Sequence, residues 1–165
     1  MHSESVSERL ATVAASTNLA DLFLRRVAAL GDAPACYAKR DGRWEATTWA
    51  EWGARSHAVA AALVGFGLRA GEPVAILGPT SPPWTVFEMG AQLAGGVSLG
   101  LYEQQTPEQL RHILAHSGAR VVFVAGAAEL ATVIAAADAT CRVEAIVPWW
   151  DDALAAETAG DARVR

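Results

Sequence analysis

The predicted fold is decided by residues 73–124, PVAILGPTSPPWTVFEMGAQLAGGVSLGLYEQQTPEQLRHILAHSGARVVFV. This stretch holds three short apolar segments, residues 74–77, 97–99 and 121–124, which are separated by segments with helical spacing. Short β-branched segments that alternate with amphipathic helices are typical of βαβ units and a parallel sheet. Each segment is apolar on both faces, which indicates strands covered by helices on both sides. We therefore predict an α/β fold with a mostly parallel sheet and right-handed crossovers.

Capping residues mark the two helices of this stretch. Thr106 is followed by proline and, at the third position, by Gln109, which predicts a capped helix start, and Gly118 predicts its end. Ser81 precedes two prolines and is predicted to cap the other helix.

A helix and a hairpin are predicted upstream of the sheet. Asn18 is a good N-cap, apolar residues follow at helical spacing, and Gly31 supplies the stop. Residues 35–40 and 43–47 read as two strands joined by Asp41-Gly42, a pair that accepts the positive φ angles of a type I′ turn.

A further helix is predicted to begin after Thr48, because Glu51 completes a capping box with it. Its apolar stripe has a spacing of three and four and comprises Trp49, Trp52, Ser56, Val59, Leu63 and Phe66. Two tryptophans on one stripe could belong to a cofactor site. Packing is the favoured interpretation, because large aromatic side chains at core spacing usually bury area.

Three further elements are predicted downstream: an alanine-rich helix over residues 127–137, a fourth strand over residues 143–147 and an acidic helix start over residues 151–157. The predicted organisation is a polar N-terminal tail (1–17), one α/β unit (18–157) and an irregular tail (158–165).

Composition restricts the class of protein. A net charge of −5 gives no basic surface for nucleic acid, and 52% hydrophobic residues are typical of a globular chain. Cys36 and Cys141 are far apart in sequence and are expected to be free thiols in a reducing compartment. Residues 1–16 lack the apolar segment of a secretory signal, and the longest uncharged apolar run, residues 58–68, is too short to span a bilayer. We expect a cytoplasmic protein without a transmembrane segment.

Ser98 lies in a Gly-x-Ser-x-Gly pattern, which is the sequence of a hydrolase nucleophile elbow. That elbow needs a helix directly after the serine, followed by an acid and then a histidine. Here the next helix begins only at Thr106, and the later histidines precede every later aspartate. A serine hydrolase is therefore a remote alternative.

His112 and His116 are four residues apart, a spacing that can chelate a metal ion from one helix face. No glutamate stands between them as a general base, and no third ligand is suggested. A solvated helix face is the favoured interpretation, and His57 is expected to be a surface residue. We predict no metal site.

No predicted strand is followed by a glycine-rich phosphate loop. The glycine pair at positions 95 and 96 precedes a strand, which is the wrong side for a phosphate cradle. Lys39 is the only lysine and lies beside the predicted hairpin turn. We therefore assign no catalytic or cofactor-binding residue to this chain.

The ordered set of short motifs is more specific than any single motif. The set comprises Thr48-Trp49-Ala50-Glu51, Gly67-Leu68, Gly71-Glu72, Val74-Ala75-Ile76-Leu77-Gly78, Ser81-Pro82, Trp84, Ala94-Gly95-Gly96-Val97, Gly100, Tyr102, Thr106-Pro107-Glu108-Gln109, Ile113-Leu114, His116-Ser117-Gly118-Ala119 and Val121-Val122-Phe123-Val124. From about Asn18 to Trp150 it resembles the opening of the adenylate-forming (AMP-binding) enzymes, and most closely that of long-chain fatty-acyl-CoA synthetases.

The resemblance implies a ligase that activates a fatty acid with ATP to an acyl-adenylate and then transfers the acyl group to CoA. The family's phosphate loop, adenine and Mg²⁺ motif, ribose aspartate and C-terminal lysine match nothing in this chain. It therefore implies an incomplete N-terminal part that ends before the phosphate loop and is not competent alone. ATP, Mg²⁺ and CoA are implied for the complete enzyme only.

Three loop positions depart from the family pattern. Thr80 stands where many relatives have Asn, Pro83 where Glu is common, and residues 103–105 are Glu-Gln-Gln where a Thr-Ser pair is usual. The fold is expected to tolerate these differences, whereas the substrate side of the loops is expected to differ.

Two functional alternatives stay open besides the hydrolase. The chain is expected either to form part of a ligase or to be a non-catalytic interaction domain that pairs with a full-length synthetase. Either case implies a partner chain, and self-association is expected when the partner is absent, because uncovered apolar strand edges are adhesive.

Overall fold

The computed structural model describes residues 5–149 and 161–164. Its helices and strands are, in chain order, α1 (Val6–Ala15), α2 (Leu19–Leu30), β1 (Pro34–Arg40), β2 (Arg43–Thr48), α3 (Trp49–Gly65), β3 (Pro73–Leu77), α4 (Pro82–Leu93), β4 (Val97–Leu101), α5 (Pro107–Ser117), β5 (Val121–Val124), α6 (Ala127–Ala136) and β6 (Ala145–Pro148).

Strands β3 to β6 form one parallel sheet in the spatial order β4-β3-β5-β6. The central strand is β3, in which Ala75 lies opposite Leu99 of β4 and Val122 of β5. Strands β1 and β2 form a separate antiparallel hairpin. The predicted α/β class, with a parallel sheet and an N-terminal hairpin, is confirmed.

Helices cover both faces of the sheet, as predicted. Successive side chains of a strand point to opposite faces, so Val74 and Ile76 lie in one core cluster while Ala75 and Leu77 lie in the other. The first cluster is closed by α3 and α4, and the second by α5 and α6. The central strands are therefore buried on both sides, which explains their unbroken apolar sequence.

The helix ends follow local sequence signals. Asn18, Thr48 and Thr106 each accept a hydrogen bond from the backbone N–H three residues later, as predicted. Gly118 ends α5 in the left-handed conformation, also as predicted. Ser81 is a correction: it stands at the N-cap of α4, but its side chain makes no capping hydrogen bond.

The hairpin turn has the predicted geometry. Asp41 and Gly42 have φ angles of 48° and 81°, the positive values that a type I′ turn requires. Each strand is one residue longer at its outer end than predicted.

The N-terminal segment needs a correction. The sequence predicts a polar tail over residues 1–17, whereas the structure has α1 in this segment. The signal is a capping box: the Ser5 side chain accepts from the Glu8 N–H, and the Glu8 carboxylate accepts from the Ser5 N–H. No helix in the described residues is long and apolar enough to cross a bilayer.

Both edge strands differ from expectation. Residues 97–99 are predicted to be covered on both faces, but β4 lies at an edge of the sheet and Val97 is 54% exposed. Strand β6 begins at Ala145, two residues later than predicted.

The predicted helix over residues 151–157 lies outside the described residues. In the predicted irregular tail, Val164 forms a parallel bridge with Ile146 of β6.

A charged cluster joins the amino ends of three strands, and we call it the Arg120 cluster. Arg120 precedes β5, and its guanidinium donates two hydrogen bonds to the Glu144 carboxylate, at 2.9 and 2.7 Å, just before β6. It also donates to Glu72, just before β3, and to the Gly67 carbonyl, both at 3.1 Å. The Arg120 side chain is only 18% exposed, so these bonds satisfy a largely buried cation.

Candidate functional site

At the carboxyl ends of the parallel strands, the connections from β3 and from β5 run to opposite sides of the sheet. From β3 the chain continues to β4 on one side, whereas from β5 it continues to β6 on the other. In open α/β sheets, ligands bind outside the carboxyl ends at such a switch point. The β3–α4 and β5–α6 loops are therefore the first place to look for a site.

The switch point is filled by an aromatic side chain. Trp149, directly after β6, packs over Gly78 at the end of β3: a Cβ at Gly78 would lie 2.9 Å from the indole and 2.3 Å from the Ala125 side chain. Phe87 of α4 stacks on Phe123 with ring centroids 4.1 Å apart and lies 5.0 Å from the Trp149 ring. Gly78 also has a φ of +156°, so only glycine fits this contact.

An open cleft of about 320 Å³ lies beside this packed region, at the carboxyl ends of β3 and β4. We call it the β3–β4 cleft. Its size is at the lower limit of small-molecule sites. The Trp84 ring packs against β4, where a Cβ at Gly100 would lie 3.2 Å from it. The lining residues are Gly78, Pro79, Thr80, Trp84, Gly100, Leu101, Tyr102 and Glu103.

Polar atoms in the two loops that border the cleft are left unpaired. The Ser81 Oγ and Gln105 Oε1 atoms are buried and have no hydrogen-bond partner in the described residues. Most buried polar atoms in folded proteins have a partner, so each exception needs an explanation. The Tyr102 side chain, in contrast, is 81% exposed.

The backbone at the start of α4 is poorly suited to hold phosphates. A helix N-terminus binds anions through its first free N–H groups, but Pro82 and Pro83 have none. The Thr85 N–H is already bonded to the Ser81 carbonyl. The Glu103 carboxylate on the opposite wall adds negative charge. These residues do not fit a triphosphate, and the aromatic walls suit an apolar or cationic group better.

Glu88 lies one turn beyond Trp84 on α4 and is half-buried. Burial raises the pKa of its carboxyl group, because desolvation disfavours the charged form. Among the carboxyl groups of the described residues, that of Glu88 is the one whose pKa is clearly raised.

Ser98 does not lie in a nucleophile elbow. It is within β4, and α5 begins only at Pro107. Its side chain makes no hydrogen bond with any other described residue, so no base is in place to activate the hydroxyl group. The structure gives no support to the hydrolase alternative.

The other candidate residues are also accounted for. His112 and His116 stack with ring centroids 6.0 Å apart, and the described residues contain no group of three potential metal ligands. His57 is exposed, as predicted. Cys36 and Cys141 are free thiols, as predicted. Lys39 lies on β1, opposite Trp44.

Comparison with known families identifies the fold. The sequence model of one family, described as AMP-binding enzyme, matches residues 23–163, which is most of the chain. The chain belongs to the AMP-binding enzyme family. The resemblance predicted from the ordered motifs is thereby confirmed.

The relatives that match this chain differ greatly in length. The chain is 30% identical over 104 residues to the long-chain-fatty-acid–CoA ligase ACSBG2 of Rattus norvegicus, a match that covers 63% of this chain and 16% of that protein. It is 28% identical over 124 residues to the uncharacterized protein Rv1549 of Mycobacterium tuberculosis, covering 74% of this chain and 70% of that protein. The chain thus spans about one sixth of the ligase but most of the shorter protein.

Solved structures of AMP-binding enzymes share this fold. The crystal structure of the anthranilate CoA ligase AuaEII in complex with anthranoyl-AMP matches with a TM-score of 0.73 and 24% identity. The match covers 81% of this chain and 25% of that chain. The described fold therefore corresponds to about a quarter of that ligase chain.

Three features of this chain were not predicted from its sequence: the β3–β4 cleft, the Trp149 packing and the Arg120 cluster. Residues of the two loops of the cleft are part of the predicted family motifs, among them Trp84 and Tyr102, and Thr80 and Glu103 are departures from the family pattern, but the sequence does not predict the cleft itself. The contact between Trp149 and Gly78 joins residues far apart in sequence, so local spacing carries no signal for it.

Proposed function

We propose that the chain is the N-terminal region of a long-chain fatty-acid–CoA ligase. The complete enzyme would join a fatty acid carboxylate to the α-phosphate of ATP, releasing pyrophosphate. It would then transfer the acyl group to the thiol of CoA, releasing AMP. The observation that carries this proposal is the family match over residues 23–163, together with the similarity to ACSBG2.

In this proposal the chain contributes structure, not phosphate chemistry. Pro82 and Pro83 remove backbone donors where the switch-point loop could otherwise hold an anion, and Glu103 opposes one. The groups that bind ATP, Mg²⁺ and CoA would therefore come from the remaining region of the enzyme. The β3–β4 cleft and the unpaired Ser81 and Gln105 oxygens lie at the end of the sheet where that region would complete a site.

Complementation tests the proposal. A long-chain ligase such as ACSBG2, shortened by the region that this chain matches, is mixed with the purified chain, and fatty-acid-dependent acyl-CoA formation is measured. We expect formation only when both polypeptides are present. The intact ligase serves as the positive control. A mixture that stays inactive, although both polypeptides are folded and bind each other, would contradict the proposal.

A second candidate function is a non-catalytic interaction domain that pairs with a full-length synthetase. The observation that favours it is the similarity to Rv1549, whose length is close to that of this chain because the match covers most of both proteins. The same experiment separates the two functions. An interaction domain would bind the intact ligase and change its rate, and it would not restore activity to the shortened one.

Self-association and location complete the proposal. The outer edge of β4 has no neighbouring strand in the described residues, so the chain is proposed to self-associate when its partner is absent. Sedimentation velocity over a range of concentrations tests this, and a concentration-independent monomer would contradict it. A cytoplasmic location is proposed because the two cysteines are free thiols.

A further inference from the structure

The two edges of the four-stranded sheet differ in what lies beside them. Beyond β6, Val164 forms a parallel bridge with Ile146, and the Ile146 N–H donates to the Arg163 carbonyl. Beyond β4, the described residues contain no further strand. We call the side of β4 that faces away from β3 the β4 edge. It is the edge of this sheet that a strand from another polypeptide can extend.

The backbone groups on the β4 edge belong to Ser98 and Gly100. The Val97 N–H donates to the Glu72 carbonyl, on the side of β3. Because the direction of the backbone groups alternates along a strand, Leu99 also faces β3, whereas Ser98 and Gly100 face outward. No described strand pairs with them on that side, and Gly100 is exposed.

The β4 edge lacks the features that usually prevent strands from pairing. Natural sheet edges carry lysine or other charged side chains, a proline or a bulge. The sequence of β4 is Val-Ser-Leu-Gly-Leu, and its register with β3 is unbroken. Val97, at its start, is 54% exposed. The edge is therefore both unpaired and unprotected.

A second copy of β4 satisfies the outward backbone groups. In an antiparallel pair centred on Leu99, Ser98 lies opposite Gly100 of the second copy, and these two residues exchange both of their hydrogen bonds. The two-fold axis repeats the same exchange on the other side of Leu99. Val97 then lies opposite Leu101 of the second copy on a shared face.

Opposite charges lie at the two ends of the β4 edge. Arg69 lies near the amino end, because the N–H of Gly71, two residues later, donates to the Gly95 carbonyl at 2.8 Å. Glu103 follows the carboxyl end. Both side chains are exposed, and neither forms a salt bridge within the described residues. In the antiparallel pair, Gly95 faces position 103 of the second copy, so Arg69 of each copy lies beside Glu103 of the other.

We propose that two copies of this chain pair through their β4 edges, antiparallel, with the two-fold axis at Leu99. The interface uses the same surface of both copies, and the edge at β6 is covered, so association stops at a dimer. This proposal rests on the self-association proposed above and names its surface and geometry. It does not depend on the ligase function.

Cysteine cross-linking tests the register of the pair. Leu99→Cys is placed in a background of Cys36→Ser and Cys141→Ala, which has no other cysteine. The two Leu99 Cα atoms would be about 4.5 Å apart, so we expect mild oxidation to give a disulfide-linked dimer. Val97→Cys in the same background is the matched control. Its two Cα atoms would be about 13 Å apart, which a disulfide cannot bridge.

Sedimentation velocity tests the hydrogen bonds and the charges. Ser98→Pro removes an outward N–H and leaves the bonds to β3, so we expect the association constant to fall at least roughly tenfold. Ser98→Ala keeps the N–H and is the matched control, with no expected change. Arg69→Glu and Glu103→Arg should each lower the association constant roughly tenfold, and the double variant should restore it to within about threefold of the wild type.

Three results would overturn the proposal. The first is a wild-type chain that stays a monomer at every concentration. The second is cross-linking of Val97→Cys that equals or exceeds that of Leu99→Cys. The third is a Ser98→Pro variant that is folded, by its thermal melt, and associates as tightly as Ser98→Ala. If Ser98→Pro does not fold, the charge reversals decide, because both side chains are exposed; a double variant without recovery would then contradict the pairing. The second and third results leave self-association standing on another surface, and the complementation assay judges the ligase function independently.

Discussion

The two ends of the four-stranded sheet are held together by different chemistry. At the amino ends, the Arg120 cluster joins three strands through charged hydrogen bonds, and each Arg120 nitrogen has at least one acceptor. At the carboxyl ends, aromatic packing of Trp149 over Gly78 fills the switch point. The buried Ser81 and Gln105 oxygens beside it have no partner.

This difference separates a structural end from a functional one. In the Arg120 cluster every nitrogen of the guanidinium already has an acceptor, and this network fixes the spacing of the strands. Unpaired buried oxygens beside an open cleft are unfavourable in isolation, and they can gain partners when another polypeptide region covers them. If the chain is part of a ligase, as proposed, the remaining region of that enzyme would therefore contact it at the carboxyl ends of the strands.

The largest expected effect concerns the packed carboxyl end. Gly78→Ala would place a Cβ 2.3 Å from the Ala125 side chain, at a φ of +156°. We expect a loss of roughly 3 kcal/mol in the free energy of unfolding, from overpacking and backbone strain together. Urea denaturation measures it. The control is Gly65→Ala, where a Cβ would meet nothing within 4 Å, with an expected change within about 0.5 kcal/mol. Equal effects would show that the contact with Trp149 and Ala125 is not tight.

A moderate effect is expected at the amino end. Arg120→Met keeps the apolar part of the side chain but leaves the Glu72 and Glu144 carboxylates without their shared cation. Because both carboxylates are partly exposed, we expect Tm at pH 7 to fall by only about 2–4 °C. Arg55→Met, on the exposed side of α3, is the control, with no expected change. If Arg120→Met lowered the stability more than Gly78→Ala does, the expected ranking of the two ends of the sheet would be wrong.

The effect of Arg120→Met on Tm is expected to depend on pH. The hydrogen bonds from Arg120 hold the pKa of Glu144 below its usual range, and the Arg69 N–H together with Arg120 does the same for Glu72. Carboxyl groups with a depressed pKa stabilise the fold above their ordinary pKa, and this stabilisation is lost as the pH falls through the depressed value. The difference in Tm between the wild type and Arg120→Met should therefore shrink below about pH 4. A constant difference between pH 7 and pH 3 would contradict this origin.

The smallest effect is expected at Glu88. Its raised pKa means that the fold favours the neutral carboxyl group, so this stabilisation is present at low pH and is lost as the pH rises through the raised value. Glu88→Gln should therefore raise Tm at pH 7, by no more than about 2 °C, and should have no effect at pH 3. The exposed Asp32→Asn is the control for the removal of one negative charge from the surface. A lower Tm at pH 7 would show that the ionised carboxylate has a partner.

Much of the fold follows from local sequence, because the signals are local. The apolar segments at residues 74–77 and 121–124 became central strands, and the caps at Asn18, Thr48 and Thr106 formed where the capping residues predict them. Each of these signals lies within a few residues and needs no knowledge of the partner strand.

The features that sequence reasoning missed depend on the order of strands in space. Val97 is exposed because β4 is an edge strand, which its apolar sequence does not reveal. The Arg120 cluster unites residues from three loops, and only its Gly67 and Glu72 lie within family motifs. At the candidate site, Thr80 and Glu103 are visible as departures from the family, but the cleft that both residues line is visible only in the fold.

The most direct test is ATP–pyrophosphate exchange by the purified chain, with Mg²⁺ and a long-chain fatty acid. The start of α4 has no N–H groups at Pro82 and Pro83, and the Glu103 carboxylate lies on the opposite wall, so this loop is poorly suited to hold a triphosphate. We therefore expect no exchange above a control without protein, while an intact AMP-binding ligase is active in the same assay. Exchange by this chain that depends on the fatty acid would contradict the assignment of the phosphate site to the remaining region of the enzyme.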